Sequence, residues 1–198
     1  IDITRQRPVK YDKNILTDDT MSVVKDPSID IIIELIGGTK IAKTVVETAL
    51  RYKKHVVTAN KALLAHFGAD LFALARENEV SLLFESSVGA GIPIIRSLAY
   101  SYSADRINTI RGILNGTTNY ILTNMEEQGR DFQDVLKEAQ EHGYAEPDPT
   151  FDVEGFDTAH KLCILASMAF GQDIRSDSVY VNGITQVQKD DLVYAREL

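Results

Sequence analysis

Residues 29–36 read Ile-Asp-Ile-Ile-Ile-Glu-Leu-Ile, and Gly37-Gly38-Thr39 follows at once. The run is β-branched and almost uniformly apolar, as a strand covered on both faces must be. A helix is expected next, from Lys40 to Lys54, with Ile41, Val45, Ala49 and Tyr52 turned inward. The unit then repeats in kind. His55 to Thr58 reads as a strand, Ala59-Asn60-Lys61 as a turn, and Ala62 to Asn78 as a helix interrupted by Gly68. Val80 to Glu85 is a third strand, ending in Ser86-Ser87-Val88-Gly89-Ala90-Gly91. Strands alternating with helices across short turns specify a parallel, doubly wound α/β sheet.

Ligands of such sheets bind outside the carboxyl ends of the strands. Gly37, Gly38, Lys61 and the Ser86–Gly91 loop all fall on that edge. No GxGxxG follows any strand, and Gly89-Ala90-Gly91 leads into Ile92-Pro93. The first strand–helix–strand unit, with its pyrophosphate loop, is therefore expected before Ile1. Residues 1–28 are polar and poorly periodic, with a short strand at Ile15-Leu16 and a short helix from Thr20 to Asp26. Ile1-Asp2-Ile3 has no capping residue, and the closing DDLVYAREL stops inside a helical pattern. Both ends read as cuts through a longer protein.

After Pro93 the alternation gives way. Helices are expected over Pro93–Ser101, Thr117–Gln128 and Phe132–His142, a strand over Ile107–Leu114, a short strand at Val179–Val181, and a helix from Asp190 onward. The sequence divides into residues 1–92, part of a Rossmann-like nucleotide-binding domain, and 93–198, an α+β catalytic and dimerisation domain.

The second half is organised around Glu146 to Phe170. An acidic, proline-broken loop carries Glu146, Asp148, Asp152 and Glu154, Gly155 ends it, and a helix runs from Phe156 to Phe170. Asp157, Lys161, Ile164 and Met168 share one stripe of that helix. From Leu162 the helix is apolar nearly all round, the pattern of a buried element. Two opposite charges thus stand at the mouth of a buried helix. One reading is an (i, i+4) pair that steadies the helix by about 0.2–0.5 kcal/mol. The sharper one is a substrate pocket, in which a partly desolvated lysine moves a proton and carboxylates hold a cationic substrate group.

The formal charge of −8 argues against a nucleic-acid or anionic-membrane surface. At 198 residues and 44% hydrophobic, the chain can bury a sizeable core. Cys163 is the single cysteine, so no internal disulfide can form; it falls on the apolar side of its helix, consistent with a reducing cytoplasm. No run is apolar enough to span a membrane. His55, His66, His142 and His160 show no zinc-ligand spacing.

Three stretches go beyond a generic α/β pattern: Val57-Thr58-Ala59-Asn60-Lys61, Gly112-Ile113-Leu114-Asn115-Gly116-Thr117-Thr118-Asn119-Tyr120, and Ala145-Glu146-Pro147-Asp148-Pro149 with Gly155-Phe156-Asp157-Thr158-Ala159-His160-Lys161-Leu162. In this order and spacing they resemble the homoserine dehydrogenase family over essentially the whole chain. The resemblance implies NAD- or NADP-dependent interconversion of L-homoserine and L-aspartate 4-semialdehyde, on the route to threonine, isoleucine and methionine, in a homodimer or higher homo-oligomer. It implies Lys161 as the acid–base lysine, with Lys61 a second lysine between nicotinamide and substrate. Glu146, Asp157, Gly116, Thr117 and Tyr144 match substrate contacts, and Gly37, Gly38, Lys61 and Gly143 match the cofactor side. In the family, the loop at Glu85, Val88, Ala90 and Ile92 holds a monovalent cation such as sodium, largely through main-chain oxygens.

Plainer readings stand beside these. Lys61 also suits a helix start, Asn115-Gly116 a turn, Thr117 a helix N-cap, and Tyr144 loop packing. A divalent-metal hydrolase could use Glu146, Asp148, Asp152 and Asp157 as oxygen ligands, but leaves both lysines without a role. A non-catalytic dimerisation or regulatory module could pair its Ile107 strand with a second copy.

Overall fold

The computed structural model describes residue 10 and residues 12–197. Ile1-Asp2-Ile3, expected to mark a cut, lies outside the described residues. The chain forms two compact units, Ile1–Pro93 and Ile94–Leu198.

In the first unit, β1 (Ile31–Glu34), β2 (His55–Thr58) and β3 (Leu82–Leu83) form a parallel sheet in the order β1-β2-β3. Ile31 pairs with His55 and Glu34 with Thr58, while Val56 pairs with Leu82. Before them stands the short α1 (Thr20–Lys25), capped by the Asp19 carboxylate, which accepts from the Ser22 N–H at 3.0 Å. The crossovers are α2 (Lys40–Arg51) and α3 (Lys61–Glu77). Val45, Val46, Ala49 and Leu50 of α2, Leu63, Leu64 and Leu71 of α3, and Val56 are buried and make up the core where α2 meets α3 and the sheet. Asn60 caps α3, its side-chain oxygen accepting from the Leu63 N–H at 3.0 Å.

Several expectations change here. Val45 and Ala49 of α2 are buried as expected, but Ile41 and Tyr52 are exposed, because they flank rather than face the core. The third strand, expected over Val80–Glu85, pairs only at Leu82–Leu83. The Ile15-Leu16 strand is absent; a 3₁₀ turn spans Lys13–Ile15 instead. Gly68 does not interrupt α3. It is buried in an unbroken seventeen-residue helix, with the Phe72 ring 3.6 Å from where a Cβ would stand. Finally, β1 is covered on one face only: Ile32 and Glu34 are buried, while Ile31 and Ile33 are 56% and 67% exposed. In a β1-β2-β3 order, two right-handed crossovers run the same way and lay both helices on the same face.

The second unit's regular elements, among its described residues, are all helices, joined by long irregular segments. Its helices are α4 (Ile94–Arg96), extended by a wider π-type turn at Ser97–Ser101, α5 (Gly116–Gln128), α6 (Phe132–Glu141), α7 (Thr150–Val153), α8 (Phe156–Phe170) and α9 (Lys189–Ala195). Ile121 and Met125 of α5, Phe132, Val135 and Ala139 of α6, and Val153 form one core, flanked by Ile184, Val187 and Leu192. The strand expected over Ile107–Leu114 carries no ladder, and neither does Val179–Val181. A strand's N–H and C=O groups need a neighbour, and the described residues of this unit contain no second strand. Nor does the closing segment run on as helix: α9 ends at Ala195, and Arg196 and Glu197 turn back to bond Val193 and Tyr194.

α8 keeps the bounds its pattern predicts because a left-handed glycine stands at each end, Gly155 at φ 86° and Gly171 at φ 62°. Its middle, Cys163 to Ala166, is buried.

Candidate active site

The chemistry-bearing groups of the second unit gather where the start of α5 meets the starts of α7 and α8. On α8, Lys161 lies one turn beyond Asp157, and the two side chains pair at 2.6 Å. Asp157 is buried and the lysine side chain is 19% exposed. The ammonium also donates to the main-chain oxygen of Leu114 at 2.7 Å. An ammonium has three donors. Two are held in fixed directions by these acceptors.

Leu114 immediately precedes Asn115, the N-cap of α5, whose Oδ1 accepts from the Thr118 N–H at 2.8 Å. That bond fixes which end of the amide is oxygen. The amide nitrogen therefore faces two carboxylates, donating to Asp152 Oδ1 at 2.7 Å and to Asp157 Oδ2 at 2.8 Å. Asn115 is 5% exposed. A single side chain thus joins the beginnings of three helices.

Thr117 has one hydroxyl proton. It goes to the Tyr144 carbonyl at 2.8 Å, with Asp152 Oδ2 farther off at 3.4 Å. The residues after α6 are thereby tied to α5. The Tyr144 ring packs on Tyr120 at 4.9 Å between centroids. Tyr120 in turn donates to Glu138 at 2.6 Å, and Arg130 pairs with the same carboxylate. Gly116, Thr117, Asn119, Tyr120, Gly143 and Tyr144 line an open pocket of about 630 Å³. Glu146 lies on the surface, its carbonyl accepting from the Gln140 amide at 3.2 Å.

The first unit presents a separate set of groups at the carboxyl ends of its strands. Glu34 is 1% exposed. Its carboxylate accepts from the Ile36 N–H at 2.7 Å and from the Thr58 hydroxyl at 2.6 Å. Thr58 accepts from the Asn60 N–H, and the Asn60 amide donates to the Gly38 carbonyl at 2.7 Å. Gly37 and Gly38 take left-handed φ of 77° and 64°, and nothing lies within 4 Å of where their Cβ atoms would be. The edge is an open main-chain platform, locked from beneath by buried hydrogen bonds. Lys61 begins α3 beside it. Glu85 opens a 3₁₀ turn, Val88 is buried, and Ile92 donates its N–H to Gly89 at 2.7 Å, so the chain reverses between Val88 and Ile92.

Lys161, Asp157, Gly116, Thr117, Tyr144 and Gly143 all fall in the second unit, and Gly37, Gly38, Lys61, Glu85, Val88, Ala90 and Ile92 in the first. Asn115 and Asp152 are the groups that sequence reasoning did not assign to this cluster. The carboxylate-ligand alternative finds no support: Asp152 and Asp157 meet through the amide of Asn115, which gives one N–H to each. Among the described residues, no three His, Cys, Asp or Glu side chains are placed to hold a metal ion.

The family model described as homoserine dehydrogenase matches residues 93–198, and the one described as its NAD binding domain matches residues 3–85. The chain is 46% identical to the homoserine dehydrogenase of Bacillus subtilis over 197 residues, covering all of this chain and 46% of that protein. It superposes with a TM-score of 0.88 on a homoserine dehydrogenase from Thiobacillus denitrificans, 50% identical, covering 91% of this chain and 42% of that one. A hyperthermophilic archaeal homoserine dehydrogenase solved in complex with NADPH gives a TM-score of 0.75 at 30% identity, covering 85% and 52%. The chain spans about half the length of the relatives it matches. Two family models in sequence and a shared fold at this identity lead to one statement: the chain belongs to the homoserine dehydrogenase family.

Proposed function

We propose that this chain carries the proton-transfer and substrate-holding groups of an NAD(P)-dependent enzyme that interconverts L-homoserine and L-aspartate 4-semialdehyde. The observation that carries this reading is the setting of Lys161. Its ammonium is held between the Asp157 carboxylate and the Leu114 carbonyl, with one donor left for a substrate oxygen.

In the reducing direction the Lys161 ammonium donates a proton to the aldehyde oxygen and becomes the neutral amine; in the oxidising direction that amine takes the proton of the homoserine hydroxyl and becomes the ammonium again. Asp157 and Glu146 hold the substrate ammonium through charge-assisted hydrogen bonds. Gly116, Thr117 and Tyr144 line the substrate side. Gly37 and Gly38 suit close approach of a dinucleotide, because no side chain stands between their backbone and a ligand. Lys61 and Gly143 complete the cofactor contacts. The nicotinamide, NADP or NAD, supplies or takes the hydride when bound; the archaeal relative holds NADPH. A monovalent cation such as sodium is assigned to the main-chain oxygens of Glu85, Val88, Ala90 and Ile92. The reversal of the chain there is the kind of path that lets carbonyls converge.

A second copy is the expected partner. Ile113 is 74% exposed on the irregular segment before α5, and pairing with its counterpart would give that backbone the neighbour it lacks within the unit. No described helix is long and apolar enough to cross a membrane, and the cytoplasm is the compartment where such an enzyme finds its nicotinamide cofactor. The test is homoserine-dependent reduction of NADP or NAD by the purified full-length protein, followed by nicotinamide absorbance. Folded protein that turns over neither homoserine nor the semialdehyde would rule the reading out.

A further inference from the structure

The Asn115 side chain is engaged at both ends of its amide. Its oxygen caps α5, and its two amide N–H groups go to two different carboxylates. The carboxylates come from separate elements, Asp152 from α7 and Asp157 from α8. Side by side, two anions repel; an N–H donor to each holds them together at fixed distances. The Asp157 oxygen that accepts from Asn115 is also the one that receives Lys161. Residue 114, adjacent in the chain, supplies the second acceptor for the same ammonium. The dipeptide Leu114-Asn115 therefore fixes the Lys161 nitrogen directly through its main chain and indirectly through Asp157.

We infer that Asn115 is a positioning residue, holding Asp152 and Asp157 in register so that Asp157 aims Lys161; this rests on the function proposed above. A plain helix cap would need only the oxygen. The two-donor bridge needs the amide, and serine separates the two roles. Asn115→Ser keeps an oxygen of good capping type and removes the amide donors. Asn115→Asp also keeps the cap, and places a third carboxylate against the other two.

Both variants are made in the full-length protein and compared with wild type in steady-state kinetics, thermal unfolding and crystal structure. Asn115→Ser is expected to unfold within a few degrees of wild type. Its kcat should fall about 10–100-fold, the scale of a small misplacement of a reacting group, with a raised KM for homoserine. Asn115→Asp should lose more. In the serine variant's crystal structure the two carboxylates should separate and Lys161 should lose Asp157. Wild-type kcat and KM in Asn115→Ser, a loss of activity fully explained by unfolding, or Asp152 and Asp157 unmoved in its structure would each overturn the inference. Wild-type protein that turns over no homoserine would remove the functional reading instead, and the crystal comparison alone would then decide the bridge.

Discussion

The Thr58 hydroxyl donates to the buried Glu34 carboxylate at 2.6 Å, joining the carboxyl ends of two neighbouring parallel strands. A carboxylate this deeply buried is costly unless hydrogen-bonded. Here one oxygen is held by Thr58 and the other by the Ile36 N–H. Thr58 also accepts from Asn60, whose amide reaches Gly38. The positions of the Gly37-Gly38 turn and of the start of α3 therefore depend on one buried chain of bonds. Thr58→Val keeps the shape and deletes the hydroxyl. It should cost about 1–3 kcal/mol, because the Glu34 oxygen is left without its donor. Denaturant unfolding measures this; an unchanged midpoint would show that the link contributes nothing.

Of the second unit's glycines, Gly183 stands closest to neighbouring chain. A Cβ there would stand 2.7 Å from the Glu154 Cα and 2.7 Å from the Val153 oxygen. The segment is pinned against the end of α7 by the Ile184 N–H to Val153 bond at 2.8 Å and by Thr185 on Glu154 at 3.1 Å. Gly183→Ala must push this strap off the end of α7, the helix that carries Asp152. Overpacking of this kind costs about 1–3 kcal/mol. Gly116→Ala is the contrast, with nothing within 4 Å of its Cβ. It should leave the melting temperature near wild type and act, if at all, on homoserine KM. Equal melting temperatures for the two variants would contradict the packing argument.

The Glu138 carboxyl is held below the usual carboxylate range, first by the Tyr120 hydroxyl and then by Arg130. A depressed folded value means that the stabilisation is present above the unfolded value of about 4.3. It is lost as pH falls through the folded one. Tyr120 is shifted upward, chiefly by its bond to Glu138, so its contribution is full below about pH 10 and fades as pH rises further. Melting temperature against pH should therefore fall at both ends. Glu138→Gln should flatten the acid limb below about pH 4.3 and weaken the alkaline one. Parallel profiles for variant and wild type would dismiss the link.

Burial pushes the Cys163 thiol above its ordinary value, and the side chain is 1% exposed. The thiolate is the reactive form. Native protein at mildly alkaline pH should resist alkylation, and denaturant should release one reactive thiol. Rapid labelling of the folded protein would show that α8 is less closed than its packing implies.

Much of this arrangement is legible in sequence, for physical reasons that differ by residue. Asp157 and Lys161 are four apart on a helix bounded by glycines, so their meeting is local geometry. The strand–helix alternation before Pro93 is likewise local. The role of Asn115 is not local, because its partners lie 37 and 42 positions away, and an Asn-Gly pair reads as a turn until α7 and α8 are placed. α7 itself hides behind Pro147 and Pro149. Ile107–Leu114 has the composition of a strand, yet strand structure is a property of pairs, and composition does not supply a neighbour.

Lys161→Ala, in the full-length protein, separates chemistry from scaffolding most sharply. Alanine is the strongest helix former, so α8 should persist, although Asp157 keeps Asn115 as a donor and loses its cation. General acid–base catalysis contributes about 10²–10⁴-fold, and kcat should fall by a factor in that range while cofactor affinity stays near wild type. Asp157→Ala should differ in kind. It removes a substrate-holding carboxylate together with the group that aims Lys161, so KM for homoserine should rise as kcat falls. Were the pair only a structural ion pair, each substitution would lower the melting temperature, and activity would track the folded fraction. Steady-state kinetics beside thermal unfolding decides between these patterns. A Lys161→Ala enzyme with near-normal kcat, measured where it is fully folded, would remove Lys161 from the chemistry and leave the Leu114 and Asp157 contacts as scaffolding alone.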